Sequence, residues 1–213
     1  MGKMTAAQAR DMMIYVADAV MAAKEDLCQA DRNIGDGDHG VGMAGGFEGV
    51  KQELTGKEFT DIYQVFSTVG RTMIRIMGGA SGIIFGLLFY AGSKNMPSQS
   101  EMNEAEFTAL FKKALAEIHA KGQAKVGDKT VIDALDPMVS SLEECVSKGL
   151  SYKEMLAKAY SAAVEGKESS KKYVAKFGKA KTLGERAIGF PDAGAVSLTV
   201  ITKAMSEWAQ KNL

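Results

Sequence analysis

Proline, cysteine, tryptophan and histidine are all scarce in this chain, and so is any excess of one charge. Its 213 residues hold three prolines, two cysteines, one tryptophan and two histidines, and 26 basic side chains balance 26 acidic ones. Cys28 and Cys145 lack C-x-x-C spacing and read as small buried apolar residues of a reducing compartment, not as a disulfide framework. Balanced charge removes the electrostatic pull toward nucleic acid or an anionic membrane surface, so neither is expected as a partner. No apolar run reaches the roughly 18 residues that span a bilayer, Ile83 to Tyr90 being too short. Met1 to Gln8 lacks the apolar core of a signal peptide, so the expected location is the cytoplasm. The shortage of proline leaves helices uninterrupted, and thirteen methionines with many alanines favour them. No alternating run long enough for a strand occurs. The reading is an all-α chain, residues 1–213 forming one domain that buries about 70% of its unfolded surface.

Apolar spacing then predicts eight helices. The first starts at the capping box Thr5-x-x-Gln8 and carries Met13, Val16, Val20 and Leu27 toward Asp31. The second begins within Gly40 to Met43 and ends by Gly56; the third runs from Ile62 to Gly78-Gly79. The apolar segment Ile83 to Tyr90 makes a fourth, with Ser81 a candidate N-cap. A fifth starts at Asn103 with Glu106 completing its cap and ends near His119, a surface or dipole-facing histidine. The sixth covers Val131 to Val146. The seventh is capped by Ser151-x-x-Glu154 and extends as far as Phe177, and the last runs from Ala195 to Trp208.

Glycine-containing loops remain at Asp31 to Gly42, Gly78 to Gly82, Gly122 to Lys129 and Gly178 to Gly194. In an antiparallel up-and-down bundle the loops after helices one, three, five and seven share one end. These four are those loops, so one site built from all of them is expected at that end.

The first loop, Asp31-Arg32-Asn33-Ile34-Gly35-Asp36-Gly37-Asp38-His39-Gly40-Val41-Gly42, concentrates three carboxylates among glycines. Gly35-x-Gly37-x-x-Gly40 fits a dinucleotide fingerprint by letter, yet a helix precedes it and acids fill its variable positions. As a calcium loop it fails, because Phe47 falls where a bidentate acid is required. An all-oxygen site for Mg²⁺ on Asp31, Asp36 and Asp38 remains, beside the plainer reading of an exposed Asp-Gly turn. Gly122-Gln123-Ala124-Lys125-Val126-Gly127-Asp128-Lys129-Thr130 misses a Walker sequence by one residue, and no strand leads into it; it stands as a nucleotide-lining loop. Lys167 to Lys181 reads as a solvated face from which one lysine could reach a phosphate.

Gly35-Asp36-Gly37-Asp38-His39-Gly40, Gly79-Ala80-Ser81-Gly82, Gly127-Asp128-Lys129-Thr130 and Leu183-Gly184-Glu185-Arg186-Ala187-Ile188-Gly189 with Asp192-Ala193-Gly194 occur in that order along the chain. Together they resemble the successive signatures of the nucleotide-binding L-subunit family of bacterial dihydroxyacetone kinases. The resemblance implies an eight-helix antiparallel barrel, ADP or ATP at one end, and two Mg²⁺ joining the phosphates to Asp31, Asp36 and Asp38. It carries nucleotide contacts onto His39, Gly40, Val41, Gly42, Ala80, Ser81, Gly122, Val131, Lys179, Asp192, Ala193 and Gly194. It further implies a K subunit holding dihydroxyacetone, an M subunit that rephosphorylates the bound ADP in the phosphotransferase branch, and leaves a homodimer open. Gly42 stands where asparagine is usual, Val131 where methionine is common, and Lys179 where arginine is expected, which keeps the charge and loses the bidentate fork. A nucleotide-dependent regulator and a two-metal phosphatase are the alternative functions.

Overall fold

The structure, a computed structural model, describes residues 2–213. Among them are nine α-helices, one 3-10 helix and two three-residue strands. The helices are α1 (Ala6–Ala22), α2 (Lys24–Arg32), α3 (His39–Leu54), α4 (Ile62–Met77), α5 (Gly79–Ser93), α6 (Glu104–Gly122), α7 (Ile132–Ser147), α8 (Tyr152–Ser170) and α9 (Ala193–Asn212). The α1 and α2 pair is the first predicted helix, interrupted only at Ala23, whose N–H still bonds back to Ala19 while Leu27 bonds to Ala23. Counted so, eight helical units stand in a ring. From α3 onward each packs on the next, and α9 returns to α1, closing the barrel.

Local chemistry accounts for most of the boundaries. The capping boxes at Thr5 and Gln8, Asn103 and Glu106, and Ser151 and Glu154 all form, each satisfying first-turn amides that the helix cannot. Four expected features are corrected. Ser81 is no N-cap: α5 starts two residues earlier, after Gly78 at φ 61°, so Ser81 lies inside the first turn. Helix α8 stops at Ser170, not Phe177, and Tyr173 bonds back to Ser170 in a turn. Helix α9 starts at Ala193, because Asp192 caps it by accepting from the Ala195 N–H at 2.8 Å. Strands do occur, β1 (Lys3–Thr5) pairing antiparallel with β2 (Glu101–Asn103). Each strand ends in the N-cap of the helix that follows, so this clip joins the starts of α1 and α6. Met4 and Met102 are fully buried beneath it, and the Tyr152 hydroxyl donates to the Met102 carbonyl at 2.9 Å.

The apolar stripes converge on one core in which Phe47, Phe66, Phe89, Phe107 and Phe111 are among the fully buried side chains. Phe107 and Phe111 lie 5.0 Å apart by ring centroid, with Phe66 edge-on to Phe107. Pro137 sits inside α7 without breaking its packing. Lacking an N–H, it releases the Asp133 carbonyl, and there Gly166 of α8 crosses so closely that a Cβ would stand 2.1 Å from that oxygen. Cys28 and Cys145 are buried and unpaired, as expected. No helix of the described residues is long and apolar enough to cross a membrane.

Candidate functional site

Helix α2 delivers Asp31 to the end of the barrel nearly buried, and the turn after it folds back over its carboxylate. Asp31 Oδ2 accepts the N–H groups of Gly37 at 2.8 Å and His39 at 3.3 Å. Those bonds fix the carboxylate and leave Oδ1 for another partner. Residue 35 has to be glycine, since a Cβ there would stand 2.3 Å from Asp31 Oδ1. Gly37 adopts φ 83°, which turns the chain so that Asp36 and Asp38 come back beside Asp31. One oxygen of each of the three acids lies within 4.8 Å of the others, the single such acidic or metal-ligating cluster among the described residues.

A cation already faces it. Lys179, at the head of the 3-10 helix (Lys179–Ala187), forms an ion pair with Asp36 and lies 3.4 Å from Asp38, joining the fourth predicted loop to the first. The bond to Lys179 holds the Asp36 carboxyl below its ordinary range. Two exposed carboxylates and one fixed, nearly buried carboxylate around a positive charge form a hard, all-oxygen donor set, which fits Mg²⁺. The site residues predicted for metal are thus brought together.

The predicted nucleotide residues fall chiefly in three places, at the heads of α3 and α5 and where α7 meets α9. At the head of α3, Gly40 is buried against α2 and Val41 is exposed. His39 points into the barrel, its Nε2 2.7 Å from Ser197 Oγ of α9 and its ring 5.9 Å from Phe85. Burial lowers the imidazole below its usual pKa, against the opposing pull of Asp31 and Asp38, so His39 is neutral near neutral pH. A Cβ at Gly42 would meet only Met77 Cε, at 3.7 Å.

Ala80 and Ser81 occupy the first turn of α5, which has no capping side chain and therefore presents free amides at a positive helix end. Met77, the last residue of α4, lies along Gly42 and Gly46 of α3. Val131 and Gly194 meet across α7 and α9, the position of a Gly194 Cβ being 3.2 Å from Val131 Cβ. Gly122 ends α6, and outside its own helix nothing among the described residues lies within 4 Å of where its Cβ would project. Two surface grooves, of about 460 Å³ between α7 and α8 and about 370 Å³ between α4 and α6, include no residue of the acidic cluster.

The third loop is braced by two acids. Asp128 accepts the Lys125 N–H at 2.9 Å and pairs with Lys176 at 2.6 Å, so it ties loop three to the segment after α8. Asp133, which the sequence reading passed over, accepts from Gly127 at 2.6 Å and from Thr130 at 2.7 Å. Its signal was an acid in the first turn of a helix, three residues after Thr130. Ser197 had none, because its role depends on α9 bringing it to His39, far earlier in the chain. In the stretch Lys167 to Lys181, Lys176 and Lys179 are exposed and each pairs with an acid of another loop. His119 sits at the end of α6, its Nδ1 2.8 Å from the Ala124 carbonyl.

The DAK2 domain family model matches residues 33–207 of this chain. The chain is 35% identical over 188 residues to the ADP-binding subunit DhaL of PEP-dependent dihydroxyacetone kinase 1 of Listeria innocua, covering 88% of this chain and 89% of that protein. It is 32% identical over 189 residues to the corresponding Escherichia coli subunit, covering 89% and 90%. In fold it resembles the crystal structure of dihydroxyacetone kinase from C. freundii in complex with AMP-PNP and Mg²⁺. The TM-score is 0.73 at 24% identity, over 94% of this chain and 34% of that one.

Proposed function

The chain belongs to the DAK2-domain family, and from that premise we propose that it is the ADP-binding L subunit of a dihydroxyacetone kinase. The observation that carries this reading is the gathering of Asp31, Asp36 and Asp38 beside Lys179, at the barrel end where α3 and α5 begin. Asp31, Asp36 and Asp38 would hold two Mg²⁺, which when bound supply neutralisation of phosphate charge. Lys179 adds a mobile cation from the opposite loop, able to leave the acids for a phosphate oxygen. The open first turn at Ala80 and Ser81 offers backbone donors to the same oxygens. His39, Gly40, Val41 and Gly42 on one side, and Gly122, Val131, Asp192, Ala193 and Gly194 on the other, would line the nucleotide.

Phosphoryl transfer asks the protein mainly for positioning and charge neutralisation, and this end of the barrel supplies both. Dihydroxyacetone, or a related short ketose, would be presented by a separate K subunit, and the spent ADP would be rephosphorylated in place by a phosphocarrier M subunit. The whole chain, 1–213, acts as the nucleotide-binding domain in this scheme, in the cytoplasm. The test is to mix the protein with a K-type subunit and dihydroxyacetone and follow sugar phosphate with either a phosphocarrier or ATP as donor. Transfer with either donor is the expected result. No transfer with both would overturn the kinase reading in favour of a regulatory module, and steady phosphate release without an acceptor would make the protein a hydrolase.

A further inference from the structure

Lys129, the lysine of the near-Walker stretch, turns away from the acidic cluster and into the protein. It is 1% exposed and has φ 59°, an uncommon backbone conformation for a side chain of its size. An ammonium taken that far from water needs acceptors. Its Nζ donates to the Ser170 carbonyl at 2.8 Å, the last residue of α8, and to the Phe190 carbonyl at 2.5 Å, two residues before the cap of α9. Phe190 belongs to the strap 188–192 that leads into Asp192 and the first turn of α9, and Ser170 ends the helix to which that strap is tied. Ser170 Oγ accepts the Asp192 N–H at 3.0 Å and donates to the Lys167 carbonyl at 2.6 Å, while the Gly189 N–H donates to the Lys171 carbonyl at 2.8 Å. On the other side Asp133 holds the N–H groups of Gly127 and Thr130, so the backbone carrying Lys129 is itself pinned.

We propose that Lys129 is the positioning residue of the nucleotide pocket: its buried ammonium fixes the strap 188–192, and with it the distance between Gly194 and Val131. This rests on the reading of Val131 and Asp192–Gly194 as nucleotide contacts. The lysine touches no phosphate in this scheme; it acts through Phe190 and Ser170. A methionine would fill the same channel yet leave the Phe190 carbonyl without its donor, freeing the strap while sparing the packing.

The experiment compares wild type and Lys129→Met as full chains by hydrogen exchange without nucleotide, by circular dichroism, and by calorimetric titration with ADP and Mg²⁺. The expected result is unchanged helix content, faster exchange confined to 188–194, and ADP affinity lowered by about tenfold or more, the scale of outer-shell losses. Unchanged affinity overturns the proposal, whether or not exchange rises, because the lysine would then be a strut and nothing more. Exchange accelerated across all helices overturns it as well. Should Lys129→Met fail to fold, Lys129→Gln, which loses the charge and shortens the reach to the Phe190 carbonyl, is read out in the same way; undiminished ADP binding there overturns the proposal. A wild-type chain that binds no nucleotide refutes the functional reading instead, and exchange at 188–194 in Lys129→Met still decides whether the clamp exists.

Discussion

Replacing Gly40 with alanine adds one methyl group where α3 touches α2. Its Cβ would stand 2.3 Å from the Lys24 carbonyl oxygen and 2.6 Å from the Cys28 amide nitrogen, both backbone atoms that no rotamer change can move. Carbon settles about 3.3–3.6 Å from a carbonyl oxygen, so the head of α3 must retreat from α2 by about 1 Å. Asp31 rides on α2, whereas Asp38 and His39 ride on the head of α3, so the separation falls between metal ligands. Mg²⁺ demands near-octahedral oxygens at about 2.0–2.1 Å, and a misplacement of about 1 Å can cost about a hundredfold in function. Stability should change far less: overpacking costs about 1–3 kcal/mol, and alanine returns about 1 kcal/mol in helix propensity. The net loss, roughly 0–2 kcal/mol, corresponds to a melting point lower by at most about 8 °C in a chain of this size. Gly45→Ala is the control, one turn further along the same helix with nothing within 4 Å of its Cβ position; it should be neutral or stabilising by about 0.5–1 kcal/mol. Calorimetric titration of ADP with Mg²⁺, together with thermal melts, reads both quantities. The reasoning is refuted if Gly40→Ala binds ADP like wild type, or if Gly45→Ala loses binding to the same degree.

Lys179→Ala should have opposite effects on two ligands. It removes the cation that competes for Asp36 and Asp38, so Mn²⁺ alone binds more tightly by paramagnetic resonance, while ADP with Mg²⁺ binds more weakly; both moving together would contradict the proposed role. Asp192 offers a pH test. Burial pushes its carboxyl up to about 7 in the folded chain, against an ordinary 3.8, with the Ala195 N–H opposing the shift. The folded state then holds a proton that the unfolded state has lost. Stability from this group is full below the ordinary value and disappears as pH rises through about 7, at about 1.4 kcal/mol per unit of displacement. Relative to Asp192→Asn, the wild-type melting point should therefore fall between pH 4 and 8, and parallel profiles for the two proteins would sink the assignment.

Where the cause of a feature lies within a few residues, the sequence displayed it. All three capping boxes formed as read, because Thr5 and Gln8, Asn103 and Glu106, and Ser151 and Glu154 each complete their bonds inside one turn. The acids of the first loop were legible for the same reason: Asp31, Asp36 and Asp38 are close in sequence, and Gly37 at φ 83° turns the chain between them. What escaped notice depends on distant chain. The β1–β2 clip pairs three residues with three others about a hundred positions away, too few for an alternating pattern to show. Lys129 was legible only as one residue of a nucleotide-lining loop, since lysine is seldom buried; only the carbonyls of Ser170 and Phe190 make its burial tolerable. Helix α8 outran its real end on paper because Lys171 to Phe177 contains no strong breaker, and the chain turns there to let Lys176 reach Asp128.

Whether Asp31, Asp36 and Asp38 bind a nucleotide through magnesium is decided by equilibrium dialysis of labelled ADP against wild type and Asp36→Asn, with Mg²⁺ and again with a chelator. Stoichiometric binding to wild type in Mg²⁺ is expected, lost with the chelator and lost in Asp36→Asn, while circular dichroism shows the same helical barrel. Undiminished ADP binding by Asp36→Asn, or none by wild type, would contradict that role of the three acids.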